Sequence, residues 1–486
     1  MMRFSRLVQL EQVRRTLAEA AAYIQDGGNS ELCQELMQNG ARMLEQIDAI
    51  LRQAQADWKS NRPMETLEQV RSAWRAPLPD DMAERLENLG RSLREDITVQ
   101  IRAVFFADLG GKWDAMDSVY RYMREDPRFD PVVVLTPVYR EAQVNGETKT
   151  EVIYEDYLTG LGIPFQNCWE YDPAQDCPEL AFTSQPYESV TLPEFWAQNI
   201  AKYTRLVYLP YFIPYMMYFD SRTTLCGMPI HAHAWRIAGS SERFARYFAR
   251  HSRCHGKNLM VTGIPKMDYV VNLKRIPCEI PPEWRPKIEG RVVILWNTWY
   301  DGNASSLELL EQMLPWFAGH PEYALIWRPH PMSRAVMKLH EPEQYRRLER
   351  MMELVTAADN MVLDTEAEYG PAFVCSRAQI SDFSSMMIQY LLMDKPLLWV
   401  QIPGKSLPVK ESEEQMISNE WMERAENRED VLAFLQRMQQ GEDLNRALRA
   451  ETRAQYIPLA DGKAAERICE AVWQGLCDET LSNRAI

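Results

Sequence analysis

The chain has 486 residues, 46% hydrophobic and 25% charged, a folded-protein composition too long for one hydrophobic core, so two or three domains are expected. Its 54 Lys and Arg against 69 Asp and Glu give a net charge of −15, which repels nucleic acid and sets that partner class aside. Nine Cys fall without CxxC pairs, the start lacks a signal-like apolar stretch, and no apolar run approaches the roughly 20 residues that span a bilayer. The expectation is a cytoplasmic protein with reduced thiols, at most peripheral to a membrane.

Residues 1–95 read as a helical region. "RLVQLEQVRRTLAEAAAYIQ" and "ELCQELMQNGARMLEQIDAILRQAQADW" carry Leu, Ile, Met and Val at helical spacing, broken at "DGGNS" and "KSNRPM". A hairpin or small bundle of this kind suits docking or homo-oligomer formation. The opening "MMRFSRLVQLEQVRR" sets Phe4, Leu7 and Val8 near Arg3, Arg6, Arg14 and Arg15, a pattern that can lie on an anionic membrane. Glu11 and Glu19 dilute the charge, and a solvated bundle face is the preferred reading.

Alternation begins near residue 99. "VQIRAVFFAD" reads as a strand, "LGGKWDAMDSVYRYMRED" as a glycine turn and an amphipathic helix, and "DPVVVLTP" as a second buried strand, which implies a parallel sheet. "PELAFTSQPY", "RLVYLPY" and "AWRIAGSSERFARYFARHS" continue it, and "NLMVTGIPKMD" closes a first Rossmann-like domain over 96–275. After the linker "RIPCEIPPEWRPKIEG", strands "RVVILWN", "YALIWRPHP", "NMVLD", "AQISD" and "KPLLWVQ" alternate with helices in a second such domain over 286–410. The tail 411–486, from "EEQMISNEWMERAEN" onward, reads as helices packing back on the domains. Two doubly wound halves place a ligand cleft beyond the carboxyl ends of their strands.

Four stretches carry chemistry. In "ALIWRPHPMSR", Arg328 precedes Pro329 and His330 sits between Pro329 and Pro331 at a strand end; Arg can fork onto two phosphate oxygens and His can donate a hydrogen bond or exchange a proton near neutral pH. The alternative is a strand ending with a solvated His. In "AQISDFSSMMIQYLLMDKPLLWV", Ser381, Asp382, Ser384 and Ser385 precede a helix whose start could hold phosphate, or could simply be capped by them. "VTGIPKMD" makes a tight turn presenting Gly263, Lys266 and Asp268, and "ILWNTWYDG" brings Asn297, Thr298 and Trp299 to a strand end. There is no G-x-x-x-x-G-K-[ST], no G-x-G-x-x-G after the first strand, no H-E-x-x-H and no D-x-D, so no cofactor and no metal is expected. His231 and His233 in "PIHAHAW" lack a third ligand for zinc.

Taken in order, "VTGIPKMD", "LWNTWYD", "RPHP", "ISDFSSMMIQYLLMDKPLLWV" and "ADGKAAERICEAV" resemble the CDP-glycerol glycerophosphotransferase family, the teichoic-acid primases and polymerases. The pattern spans residues 99 to 475 and is strongest from 258 to 401. The resemblance implies a GT-B-like pair of Rossmann-type domains, the first on the acceptor side and the second on the CDP-donor side. It implies a donor, CDP-glycerol or a related CDP-alditol, and a polymer or lipid-linked acceptor, with CMP released. It further implies catalytic roles for His330 and Arg328, and donor binding by Ser381, Asp382, Ser384, Ser385, Gly263, Lys266, Asn297 and Thr298. The family's first-half Trp-His-Gly-Thr motif is absent; His231 or His233 could substitute as a base, although a structural histidine is the preferred reading for either. Phe383 replaces the usual Tyr. Two other readings fit the same pattern: a GT-B glycosyltransferase using a nucleotide sugar, and a degenerate nucleotide-binding or scaffold protein.

Overall fold

The computed structural model describes residues 1–486 other than 145–146, 212–222, 276–277, 304, 367, 383, 406–418 and 481–486. Four helices, α1 (Phe4–Gln25), α2 (Ser30–Gln53), α3 (Arg62–Ala73) and α4 (Met82–Asp96), form the N-terminal bundle. The Asn29 side chain accepts from the amides of Glu31 and Leu32 at the start of α2, and Pro63 stands in the first turn of α3, where its missing N–H is not needed. Leu10, Leu17, Ile47, Leu51 and Leu86 fill the bundle core.

Apolar side chains of the opening residues turn inward. Phe4 is buried against the first sheet beside Trp473, and Leu7 is buried in the bundle. Arg3 donates to the carbonyls of Asp176 and Cys177 and to the Glu179 carboxylate, and Arg14 is buried against Glu11. Intramolecular packing therefore uses the apolar face and two of the cations that the membrane reading needed. Among the described residues no helix is long and apolar enough to cross a membrane.

The first sheet contains β1 (Val99–Ala107), β2 (Phe129–Leu135), β3 (Phe165–Asn167), β4 (Leu180–Thr183), β5 (Arg205–Tyr208), β6 (Arg236–Gly239) and β7 (Leu259–Val261). Their spatial order is β7-β6-β5-β4-β1-β2-β3, every pair parallel, with Met2 and Arg3 pairing on Val99 and Gln100. Helices cover both faces, so strand residues such as Val104, Phe105, Ala181 and Phe182 are all buried and read as continuous apolar runs. An antiparallel hairpin, Val138–Val144 with Glu147–Ile153, follows β2. Asn145-Gly146, a strong hairpin-turn dipeptide, stands between its strands in the sequence.

The second sheet contains β8 (Val292–Thr298), β9 (Tyr323–Pro329), β10 (Met361–Leu363), β11 (Ala378–Ser381), β12 (Leu397–Val400) and β13 (Glu423–Ala425). Its order, β10-β9-β8-β11-β12-β13, is again wholly parallel, and reverses direction between β8 and β11. β13 corrects the expectation of a purely helical tail. Trp421, Met422 and Ala425 are buried as the segment pairs with the sheet edge, so tertiary burial outweighs the helical composition of "WMERAEN". The earlier stretch "EEQMISN" lies mostly outside the described residues.

Two motif stretches interlock where the last helix returns to the first sheet. Asp268, in α5 (Pro265–Asn272), is fully buried and accepts from the amides of Ala464 and Ala465 at 3.1 and 3.0 Å, at the start of α6 (Ala464–Thr480). Arg467 reaches back to the carbonyls of Thr262 and Leu459. Gly263 has φ +83°, and a Cβ there would stand 2.9 Å from the Leu459 carbonyl oxygen, so glycine is required for both conformation and space. Asp268→Ala is expected to leave two buried amides without acceptors and cost about 2 kcal/mol in urea unfolding; an unchanged midpoint would show that α6 does not depend on this cap.

Candidate active site

The carboxyl ends of β8, β9 and β11 meet at the point where the second sheet reverses direction, the position at which doubly wound sheets hold ligands. A cavity of about 190 Å³ lies there, facing residues of the first half. Asn297, Thr298, Arg328, His330, Ser381, Asp382, Ser384, Ser385 and Lys266 all line it, joined by Gly111, Tyr211, Trp299, Tyr369 and Gln389.

Several of these side chains are already engaged. Asn297 donates to the Arg328 carbonyl at 3.2 Å and accepts from Gln379 at 2.6 Å, tying three strand ends together. Thr298 accepts from the Trp327 indole at 3.2 Å. Asp382 accepts from the amides of Trp299 at 2.7 Å and Ser306 at 2.9 Å. Burial pushes its pKa up to about 6 although these amides pull it down. Asp382 therefore shapes the loop after β8. The Ser381 hydroxyl turns to the Asp382 carbonyl at 2.7 Å, and the Ser384 hydroxyl accepts from the Met386 amide at 3.2 Å, at the start of the short α-helix Met386–Leu392.

Arg328 differs from the sequence expectation. Its guanidinium donates to Asp364 at 2.7 Å and to the carbonyls of Glu366 at 2.7 Å and Glu368 at 3.3 Å. An Arg buried at a strand end is desolvated, and Asp364, itself buried, supplies the compensating charge. The same bonds fix the loop after β10 as one wall of the cleft.

His330 is held differently. Its amide donates to the Thr298 carbonyl at 3.2 Å, and its ring lies edge-on to Trp299 and tilted against Tyr300, with centroids 5.8 and 5.3 Å away. Nδ1 accepts from the Met332 amide at 3.2 Å, which leaves the proton of the neutral ring on Nε2. Desolvation pulls the pKa down to about 4, so the imidazole is neutral at pH 7.

Lys266 joins the two halves. Its ammonium contacts both oxygens of Asp114, at 2.7 and 2.5 Å; the Tyr369 hydroxyl donates to Asp114 at 2.9 Å, and Gln389 donates to that hydroxyl at 2.6 Å. Asp114 and Tyr369 escaped the sequence reading because each stands in an ordinary helical or loop context with no motif around it, and Gln389 because it sits on the helix of the "SDFSS" motif, beyond the residues that suggest phosphate binding. "LGGKWD" was legible only as a glycine turn.

Three expected residues are not among those lining this cavity. Gly263 serves the α6 junction described above. His231 is buried, accepts from the Met228 amide at 3.1 Å, and packs edge-on against Tyr208 and Phe248; its pKa is pulled down to about 4 by burial. His233 is exposed two residues further along the same short helix. Phe383 and residues 212–222, the centre of the segment that stands in place of the Trp-His-Gly-Thr motif, lie outside the described residues.

The profile of the CDP-Glycerol:Poly(glycerophosphate) glycerophosphotransferase family matches residues 231–474, just over half of the chain. The chain belongs to this family. It is a transferase of the glycerophosphotransferase type, and its match covers the second sheet, the cavity-lining residues other than Gly111 and Tyr211, and the α6 junction. No curated protein sequence matches it. Among solved structures it is similar to the wall teichoic acid polymerase TagF, at 12% identity and TM-score 0.52 over 86% of this chain and 99% of that one. A TagF structure soaked with CDPG gives 12% identity and 0.51 over the same shares. S. aureus MnaA in a co-structure with UDP matches at 12% and 0.54 over 78% and 98%. These likenesses show a GT-B type fold for this glycerophosphotransferase-family chain.

Asp114→Ala would strand the Lys266 ammonium in a buried site and is expected to cost about 3–5 kcal/mol in urea unfolding, with Lys266→Met on the same background recovering much of the loss. Equal stability of wild type and Asp114→Ala would contradict the bridge.

Proposed function

We propose that the chain transfers glycerol phosphate, or a related alditol phosphate, from a CDP-activated donor to a hydroxyl of a cell-surface polymer or lipid-linked acceptor, releasing CMP. The observation that carries this reading is the convergence of His330, Ser384 and Ser385 on one cavity at the switch point of the second sheet, within the span matched by the family profile. The CDPG soaked into TagF, a protein of similar fold, supports a cytidine diphosphate donor. The second half is the donor side and the first half the acceptor side. A nucleotide donor fits a cytoplasmic location.

In this scheme the acceptor oxygen attacks the phosphorus that carries glycerol. The bond from that phosphorus to the bridging oxygen breaks, CMP departs with the electron pair, and the hydroxyl proton passes to solvent or a base. Such transfer depends on alignment and on stabilising charge that develops on oxygen. The Nε2–H of neutral His330 is aimed by the Met332 bond at Nδ1 and donates to a phosphoryl or leaving oxygen. A bound diphosphate would raise the His330 pKa, because a neighbouring anion favours the imidazolium. Ser384 and Ser385 add hydroxyl donors. Arg328 braces the cleft wall through Asp364 and its charge acts on the donor from behind that pair. Lys266 contributes in the same indirect way through Asp114.

His330→Ala is expected to lower kcat for CMP release at least about 100-fold while CDP-glycerol still raises the melting temperature of the folded variant. Wild-type turnover by that variant would remove His330 from the chemistry. Stabilisation by UDP-sugars alone in the same assay would overturn the cytidine donor.

A further inference from the structure

A second cavity, of about 360 Å³, adjoins the first and shares Gly111 and Tyr369 with it. The Lys266–Asp114–Tyr369 bridge forms the partition, with Lys266 lining the first cavity and Asp114 the second. A Cβ at Gly111 would meet nothing within 4 Å, so no side chain closes the boundary at that point. The volume falls in the range of small-molecule sites.

Its lining is distinctive in charge and in surface. Four carboxylates, Asp114, Asp117, Glu366 and Glu368, line it with one cation, Arg121; Lys266 holds Asp114 from the first cavity and Arg121 pairs with Asp117, so Glu366 and Glu368 give the cavity its net negative charge. Asp117 accepts from both Arg121 and the Trp113 indole, and Glu368 accepts from the Tyr269 hydroxyl and the Gly370 amide. Trp113, Tyr157, Tyr269 and Tyr369 supply aromatic surface. The Tyr157 hydroxyl is buried and has no hydrogen-bond partner among the described residues, a polar group that a ligand would satisfy.

Resting on the transferase reading above, we infer that this cavity receives the acceptor, and that the acceptor's reactive end is an uncharged polyhydroxyl unit, a saccharide or polyol, and not a phosphate-bearing one. Carboxylates accept hydrogen bonds from hydroxyls and repel phosphate, and aromatic rings pack on the apolar face of a sugar ring. A hydroxyl of such a unit reaches the donor phosphorus past Gly111. There its oxygen forms the new bond to phosphorus as CMP leaves, its proton departing to solvent or a base. Arg328 ties the two sites together, because the carbonyls it holds belong to Glu366 and Glu368 of the second cavity's rim.

The probes are methyl β-D-glucopyranoside and glucose 6-phosphate, measured by saturation-transfer NMR on the full chain with and without CDP-glycerol. The glucoside is expected to bind at least about tenfold more tightly than the 6-phosphate. Glu366→Lys, at an exposed rim position, is expected to shrink or reverse that preference, and Tyr157→Phe to weaken the glucoside several-fold without changing the melting temperature. Equal or tighter binding of the 6-phosphate, binding of neither probe, or a preference unchanged by Glu366→Lys overturns the inference. The CDP-glycerol thermal shift in the same samples separates the two claims. Donor binding with no glucoside binding refutes this site alone, and glucoside binding with no CDP-glycerol response refutes the donor reading and leaves the saccharide site standing.

Discussion

The buried contact of Lys266 with Asp114 is the constraint on which the rest of the cleft depends. Each partner comes from the first half of the chain, and Tyr369 and Gln389 extend the contact into the second. Neither charge is well solvated, with side-chain exposures of 7% and 13%, so each is tolerated because the other is there. The bridge sets where the two halves meet, and that meeting creates both cavities and the wall between them. A hinge with water between its faces would leave these groups no reason to converge.

The same logic of paired charge governs the cavity at the switch point of the second sheet. Arg328 is matched by Asp364, Lys266 by Asp114, and the Asp382 carboxylate by two amides, so among the described residues lining the cavity each Lys and Arg already has a carboxylate partner. What the cavity presents instead is a neutral imidazole with a defined tautomer, serine hydroxyls, and two lining cations whose charge is already offset by carboxylates. A donor diphosphate entering such a site meets directed hydrogen bonds first and screened positive charge second. That arrangement favours alignment over tight ground-state binding, which suits a reaction whose product must be released.

Much of the architecture was legible because parallel strands buried on both faces leave continuous apolar runs such as "AVFFA" and "ALIWRP", and Gly, Pro and Ser mark their ends. The switch-point cavity was legible for a related reason: residues at such a point must follow strand ends, and "RPHP", "NTW" and "SDFSS" do. Finer roles were not, since a sequence shows which groups can bond phosphate and hides which of them are already bonded. Arg328 and Asp382 read as site residues from the sequence, which hides that Asp364 and the Trp299 amide already hold them. Gly263 looked like a site residue because its motif is compact, whereas it and Asp268 serve the junction with a helix almost 200 positions later. Asp114 carries no local signature at all, its partners lying 152 and 255 positions away.

The central claim is that the cavity at the switch point binds the cytidine diphosphate donor. Hydrogen–deuterium exchange with and without saturating CDP-glycerol tests it most directly. The account predicts slowed exchange at 297–301, 328–333 and 384–388, the three segments that converge there. Unchanged exchange at all three, with protection confined to the N-terminal bundle or to the first sheet, would contradict it.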